Sequence, residues 1–333
     1  MSEIYIDNVI TGNCLEVLRK MDEKSIANIT TSPPYFKQRE YGEDENEIGC
    51  DESLHCYLSD MLRVFVQCVR VLKDDGSIFW NLGDKYGDAG LMLIPYRFAM
   101  LAQQETKVSL VNNITWAKTN PTPRQDRTKM VSSTEPFFHF VKRGHKYKYY
   151  LDRISEVNVV APNPDSNIGQ GYFKQIKESS LTEDQKAQAK QELGEAIQRV
   201  KDGAISSLRM KILGKHRIPF GGQDGGRKTQ METKGFTIID VPGKYSMVRD
   251  ILEYPVESIK GEDHPAVYPQ KMVEKLIRLT TDEEDVVLDP FLGSGTTALA
   301  AKATGRHYVG IELYSQYAEQ AKKRLSGEDK HAT

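Results

Sequence analysis

Apolar positions along the chain change period twice. Residues 26–30, 77–82, 113–117 and 137–141 are short apolar runs that read as strands. Between them, residues 57–72 repeat their apolar positions every three to four residues, the spacing of a helix with one buried face. Strands interleaved with amphipathic helices are the texture of an α/β domain. From about residue 146 this pattern breaks down. A highly charged helical piece over 182–201 precedes a loop over 219–229, where Gly221, Gly222, Gly225 and Gly226 oppose regular structure. Order returns after about 255, with helices predicted over 268–280, 297–304 and 315–325 and strands over 285–288 and 307–311. The reading is one discontinuous domain, 1–145 with 255–333, interrupted by an insertion over 146–254. No internal repeat is visible, and the residues after Gly327 read as a loose tail.

Composition acts mainly by exclusion. With 333 residues, 39% hydrophobic and 28% charged, the chain is neither disordered nor fibrous. No apolar run approaches the roughly 20 residues that span a bilayer, and the start Met1-Ser2-Glu3 is unlike a signal peptide, so a cytoplasmic, membrane-free location is expected. The four cysteines, Cys14, Cys50, Cys56 and Cys68, form no C-x-x-C pair, which argues against a disulfide framework. Cys50, His55 and Cys56 complete no ligand cluster, so no metal is expected.

Net charge is only −2, yet its distribution is uneven. Residues 115–153 hold nine Lys and Arg against three acids, and residues 205–234 hold seven against two. The middle of the chain can therefore present a positive face to a polyanion while the total stays near neutral, although solvated surface charge explains the same runs.

Two short stretches carry chemistry. Val286-Val287-Leu288-Asp289 is an apolar strand ending in an acid, followed by Pro290-Phe291-Leu292-Gly293-Ser294-Gly295-Thr296-Thr297 and a helix. Glycines allow close approach of a ligand to the backbone, and the helix start offers free N–H groups, so a nucleotide-like ligand is implied. Glu312, past the next strand, stands where a carboxylate accepts hydrogen bonds from ribose hydroxyls. Gly293-x-Gly295-x-x-Ala298 by itself fits a nicotinamide cofactor or S-adenosylmethionine equally well. Only 38 residues follow Gly295, too few for the rest of a dinucleotide domain, so the remaining sheet must come from the N-terminal part.

The second stretch, Ser32-Pro33-Pro34-Tyr35, closes a strand with two prolines that remove backbone donors and fix φ. Such a turn presents a hydroxyl, carbonyls and an aromatic face at one point. That combination suits an exocyclic amine on a flat base, with Ser32 and a proline carbonyl accepting its hydrogens and Tyr35 stacking on the ring.

With these residues the chain resembles the β group of bacterial DNA amino-methyltransferases, which methylate N4 of cytosine or N6 of adenine. The resemblance covers about 1–145 and 255–325 and rests on Ser32-Pro33-Pro34-Tyr35, Trp116-x-Lys118-x-Asn120-Pro121, His264-Pro265, the loop from Asp289 to Thr297, and Gly310-x-Glu312. It implies a doubly wound, mostly parallel sheet of the S-adenosylmethionine-dependent methyltransferase type, with circularly permuted motif order and an inserted recognition region over 146–254. It also implies that Ser32, Pro33, Pro34 and Tyr35 are catalytic, with Phe36 lining the same pocket. Asn13, His264, Pro265, Asp289, Phe291, Gly293, Gly295, Thr296 and Glu312 would then hold S-adenosylmethionine. Asn13 stands where the family usually has Asp; an amide still donates to and accepts from an adenine edge, and a plain helix N-cap is the alternative reading of Asn13.

Double-stranded DNA is the expected partner, contacted by Lys118, Arg124, Arg127, Lys129, Arg217, Arg227 and Lys228, with the target nucleotide flipped into the pocket. Cytosine members of the family usually carry Ser in the tetrad and adenine members Asp, so Ser32 favours N4 of cytosine over N6 of adenine. A cognate restriction endonuclease is compatible with this reading, as is either a monomer or a homodimer.

Overall fold

The computed structural model describes residues 5–37, 48, 53–123, 128–155, 167–218, 226–242, 248–257 and 268–327. The chain divides into two compact units, Met1–Ile154 with Arg249–Thr333, and Ser155–Val248. The first unit begins with β1 (Asn8–Thr11), α1 (Cys14–Lys20), β2 (Ile26–Thr31), α2 (Leu54–Val71) and β3 (Leu72–Asn81). A two-residue hairpin follows, β4 (Tyr86–Gly87) and β5 (Gly90–Leu91), then α3 (Ile94–Glu105), β6 (Val108–Lys118) and β7 (Thr134–Lys142). The second unit holds α4 (Gln170–Lys177), α5 (Glu183–Lys201), β8 (Ile205–Ile212), α6 (Arg227–Lys234) and β9 (Phe236–Pro242). The chain then returns to the first unit with β10 (Ile251–Tyr254), α7 (Gln270–Thr280), β11 (Val286–Asp289), α8 (Thr296–Ala303), β12 (His307–Glu312) and α9 (Ser315–Ser326).

Eight strands form the main sheet in the order β1-β12-β11-β2-β3-β7-β6-β10. All neighbours are parallel except β7, which runs antiparallel to both β3 and β6. This is the mostly parallel, permuted sheet that the motif order implied. All six residues of β2 are buried, as expected of a parallel strand covered on both faces. The two-residue period then sorts the neighbouring side chains between the faces. Ile78 and Trp80 pack with Met61, Val64 and Phe65 of α2 and Phe98 of α3, while Phe79 packs with Met272, Leu276 and Leu279 of α7. Phe138 and Phe140 join the first of these cores and Phe137 the second.

The insertion has a core of its own. On α5 the buried positions Ala189, Leu193, Ala196 and Val200 recur every three to four residues and pack with Leu208, Met210 and Ile212 of β8 and with Phe236. Thr182 caps α5, accepting from the Gln185 N–H while the Gln185 side chain accepts from the Thr182 N–H, a reciprocal capping box.

The borders of this unit lie inside the expected 146 and 254. Residues 146–154 stay with the first unit because Lys148 Nζ bonds Asp285 Oδ2 at 2.8 Å and Tyr150 N donates to Leu279 O at 2.7 Å. At the other end, β10 adds to the sheet beside β6. The antiparallel pair β8–β9 lies where no strand was expected, and α6 begins inside the expected 219–229 loop, of which 219–225 lie outside the described residues. The strands β1 and β10 and helix α3 also escaped the periodicity reading, β1 and β10 because four residues carry too little pattern. No helix among the described residues is long and apolar enough to cross a membrane, and none of their His, Cys, Asp or Glu side chains group into a metal cluster.

One buried histidine ties stability to pH. His139 lies on β7 between the rings of Phe79, at 4.5 Å, and Tyr149, at 6.0 Å, with Nε2 2.9 Å from Ser77 Oγ. Burial pulls its pKa from 6.5 down to about 3, since an imidazolium there lacks solvent. The unfolded chain binds a proton below 6.5 that the folded chain refuses, so this site's contribution is complete above 6.5 and is lost as pH falls toward 3. Thermal midpoints measured from pH 7.5 down to 5 should fall more steeply for the wild type than for His139→Gln; parallel curves would show that His139 does not carry the effect.

Candidate active site

The chain leaves β11 through α8 toward β12 on one side, and leaves β2 through α2 toward β3 on the other. Such a reversal opens a crevice at the carboxyl ends of the two adjacent strands, where ligands of open α/β sheets bind. The glycine loop follows β11 and the tetrad follows β2, so the topology brings together two motifs far apart in sequence. Thr31 Oγ1 donates to Asp289 Oδ1 at 2.5 Å across a separation of 258 residues.

Asp289 is 1% exposed. Its Oδ1 also accepts from Phe291 N at 3.0 Å, and its Oδ2 accepts from Thr297 Oγ1 at 2.6 Å and from Tyr268 OH at 3.0 Å. Burial raises its pKa, and these four donors oppose that rise. Expected among the ligand contacts, Asp289 instead has both oxygens committed to protein groups and braces the loop from beneath. Above it, Gly293 and Gly295 take positive φ of 53° and 89°, and a Cβ on Gly295 would lie 3.0 Å from Ala321 Cβ. Glu312 is 8% exposed and accepts from Gly293 N at 2.8 Å and Tyr314 N at 3.0 Å, with its pKa raised by burial. The Thr296 hydroxyl is buried in this loop with no partner among the described residues. A hydroxyl so placed at a helix start can donate to or accept from a ligand.

The β1–β12 register sets Thr11 opposite Glu312, which brings Asn13 to the same edge. Its Oδ1 caps α1, accepting from Leu15 N at 2.9 Å and Glu16 N at 3.4 Å. The adjoining Cys14 thiol is pushed up by burial to about 12, which leaves it protonated and unreactive. His264 and Pro265 lie outside the described residues.

Around the tetrad, Pro33 is buried and the Pro34 carbonyl accepts from Tyr57 OH at 2.8 Å. Phe36, expected to line the pocket, is 6% exposed and sits in the main core against Tyr57. Ser32 Oγ lies 3.0 Å from Asn81 Oδ1 and 3.2 Å from Tyr35 OH. Tyr35 OH lies 2.7 Å from Asn81 Oδ1 and 2.9 Å from Glu135 Oε2. Asn81 Nδ2 donates to Pro136 O at 3.0 Å, which fixes the amide so that its oxygen faces both hydroxyls. Burial and the Glu135 carboxylate hold the Tyr35 phenol well above its ordinary pKa, so it remains a donor at neutral pH.

Asn81 and Glu135 were not legible as site residues. Lys118, expected to face DNA, pairs instead with the other Glu135 oxygen and lies 5.0 Å over the Trp116 ring. Gly83 presses on Tyr35 from one side: a Cβ there would stand 2.4 Å from Tyr35 Cε2.

The sequence model of one protein family, described as DNA methylase and covering N6 and N4 enzymes, matches residues 26–323. The chain belongs to this DNA methylase family. The methylase is 27% identical to the type II methyltransferase M.Cfr9I of Citrobacter freundii over 96% of its own length and 87% of that protein. It is 26% identical to M.BglII of Bacillus subtilis over 97% of itself and 70% of that chain. Among solved structures, the cytosine-N4-specific PvuII DNA methyltransferase shares the fold with a TM-score of 0.59 at 17% identity, covering 95% of the methylase and 85% of that chain. A DNA modification methylase from Thermus thermophilus, complexed with S-adenosyl-L-methionine, has a TM-score of 0.53 at 20% identity over 97% and 96% of the two chains. S-adenosylmethionine is the methyl donor of the family, and the nicotinamide reading of the glycine loop falls away.

Of the bases expected to meet DNA, Lys129 is exposed in the first unit, with Nζ 4.5 Å from the centre of the Tyr86 ring. Arg217, Arg227 and Lys228 are exposed on the second unit, Lys228 being 3.9 Å from Glu232. Arg124 and Arg127 lie outside the described residues. The contact between Gly83 and Tyr35 yields a direct test. In Gly83→Ala the methyl displaces the Tyr35 ring, so methyl transfer should fall by roughly tenfold or more while cofactor affinity stays within about twofold. Unchanged transfer would show that the ring's place against Gly83 is unimportant.

Proposed function

We propose that this methylase moves a methyl group from S-adenosylmethionine to N4 of a flipped cytosine in double-stranded DNA. The observation that carries this reading is the hydrogen-bond state of Ser32. With Asn81 Oδ1 at 3.0 Å and the Tyr35 hydroxyl at 3.2 Å to take the Ser32 hydrogen, the lone pairs of Oγ are left to accept from an amine. An exocyclic amine is a poor nucleophile because its lone pair is conjugated with the ring. Ser32 Oγ and the Pro33 carbonyl accept its two hydrogens and draw the nitrogen toward tetrahedral geometry, which localises the pair for in-line attack. Tyr35 supplies an aromatic face for the extruded base. No cysteine stands in the tetrad, in keeping with direct transfer and no covalent enzyme–base adduct.

The cofactor supplies an electrophilic methyl group on a sulfonium. Residues fit to hold it are Phe291, Gly293, Gly295 and Thr296 of the loop, Glu312 for the ribose, Asn13 at the adenine edge, and His264 with Pro265. The buried, unpartnered Thr296 hydroxyl supports this assignment. Asp289 acts on the cofactor indirectly, by shaping the loop. Unit 155–248 is the target-recognition region, with Arg217, Arg227 and Lys228 toward DNA and Lys129 contributing from the first unit. Relatives named type II methyltransferases support a paired restriction endonuclease and a cytoplasmic setting.

Mass spectrometry of nucleosides from unmethylated duplex DNA incubated with the protein and methyl-deuterated S-adenosylmethionine should find the label in N4-methylcytosine. Label in N6-methyladenine instead would overturn the choice of base and leave the family intact. Ser32→Ala should lower turnover by roughly tenfold or more, about 1.4 kcal/mol of barrier, with little change in cofactor affinity. Unaltered turnover would remove Ser32 from the mechanism.

A further inference from the structure

Methylation of an amine releases a proton, and the tetrad contains no group that retains one. A carboxylate nevertheless stands at the end of its hydrogen-bond chain. Ser32 Oγ is 3.2 Å from Tyr35 OH, which is 2.9 Å from Glu135 Oε2. Glu135 comes from the opposite end of its strand to most site residues. Because β7 is antiparallel, its first residues reach the carboxyl edge of the sheet, with Glu135 in register with Trp116 and Phe137 with Asn81. Lys118, on the neighbouring strand, holds the second carboxylate oxygen. The Glu135 side chain is 14% exposed, open enough to exchange a proton with water and closed enough to fix its direction.

We propose that Glu135 is the terminal acceptor of the proton lost by the target amine, reached from Ser32 through the Tyr35 hydroxyl, with Lys118 as the residue that positions it. As the nitrogen–methyl bond forms, the carbon–sulfur bond breaks, sulfur keeps that pair and the positive charge passes to nitrogen. In the same step one N–H bond breaks, and nitrogen keeps the electrons. The proton goes to Ser32 Oγ, the Ser32 proton to Tyr35 Oη, and the Tyr35 proton to Glu135 Oε2. The amine has lost one proton, the carboxylate has gained one, and both hydroxyls end as they began. The groups that face Glu135 are Lys118 from β6 and Tyr35 from the tetrad, with Asn81 from β3 orienting the hydroxyls and Tyr57 from α2 standing behind Tyr35. The inference rests on the amine-methylation reading, and N4 of cytosine and N6 of adenine release the same proton.

The test is single-turnover methyl transfer to duplex DNA in H2O and D2O, counting labelled methyl on either base so that an error in base choice does not alter the readout. Tyr35→Phe and Glu135→Gln should each slow transfer by roughly tenfold or more and abolish the solvent isotope effect of the wild type. Cofactor affinity, and 2-aminopurine fluorescence at the target position, should stay as in the wild type. If Glu135→Gln misfolds with Lys118 stranded, the double variant Lys118→Met/Glu135→Gln removes that charge and should fold while remaining slow. A solvent isotope effect that survives in either variant would reduce Glu135 to a support for the Tyr35 ring and overturn the relay.

Discussion

The site depends on one buried carboxylate. Asp289 stands at the end of β11 and receives Thr31 from β2, Thr297 from α8, Tyr268 from the approach to α7 and the backbone of Phe291. A carboxylate removed from water costs several kcal/mol unless it is fully hydrogen-bonded, so the ends of the two strands and the loop must close around it together. That requirement holds the glycine loop and the Ser32–Tyr35 tetrad at adjacent strand ends. Neither motif alone defines that distance.

A second constraint comes from strand direction. In a wholly parallel sheet each strand offers the crevice its last residues. Here β7 runs the other way and offers its first, so Glu135 arrives opposite the ends of β2, β3 and β6. Its neighbours draw a surface-type pair, Lys118 and Glu135, in beside the Ser32–Tyr35 turn. In that setting the Tyr35 hydroxyl is held by Asn81 and Glu135 while Gly83 confines its ring. A phenol restrained at both ends has little freedom left to lose.

The insertion obeys a different logic. It carries its own apolar core on α5 and β8, and its basic residues are exposed on elements that take no part in the main sheet. A separate core allows the surface of the insertion to change without disturbing the packing that Asp289 requires.

Much was legible in the chain alone. Apolar runs marked six of the eight strands of the main sheet and helical periodicity marked α2, α5, α7, α8 and α9, while the prolines and glycines of the two loops marked where those loops turn, because these signals are local. Asn13 could be read locally in two ways, and its Oδ1 does cap α1. Tertiary structure decided what depends on neighbours. Asp289 looked like a ligand contact until Thr31, 258 residues away, joined Thr297, Tyr268 and the Phe291 N–H around it, and Lys118 looked like a DNA contact until β7 brought Glu135 beside it. Asn81, Gly83 and Glu135 carry no motif of their own. A residue's chemistry is written in its side chain, but its partners are set by strand order and direction, which no local pattern encodes.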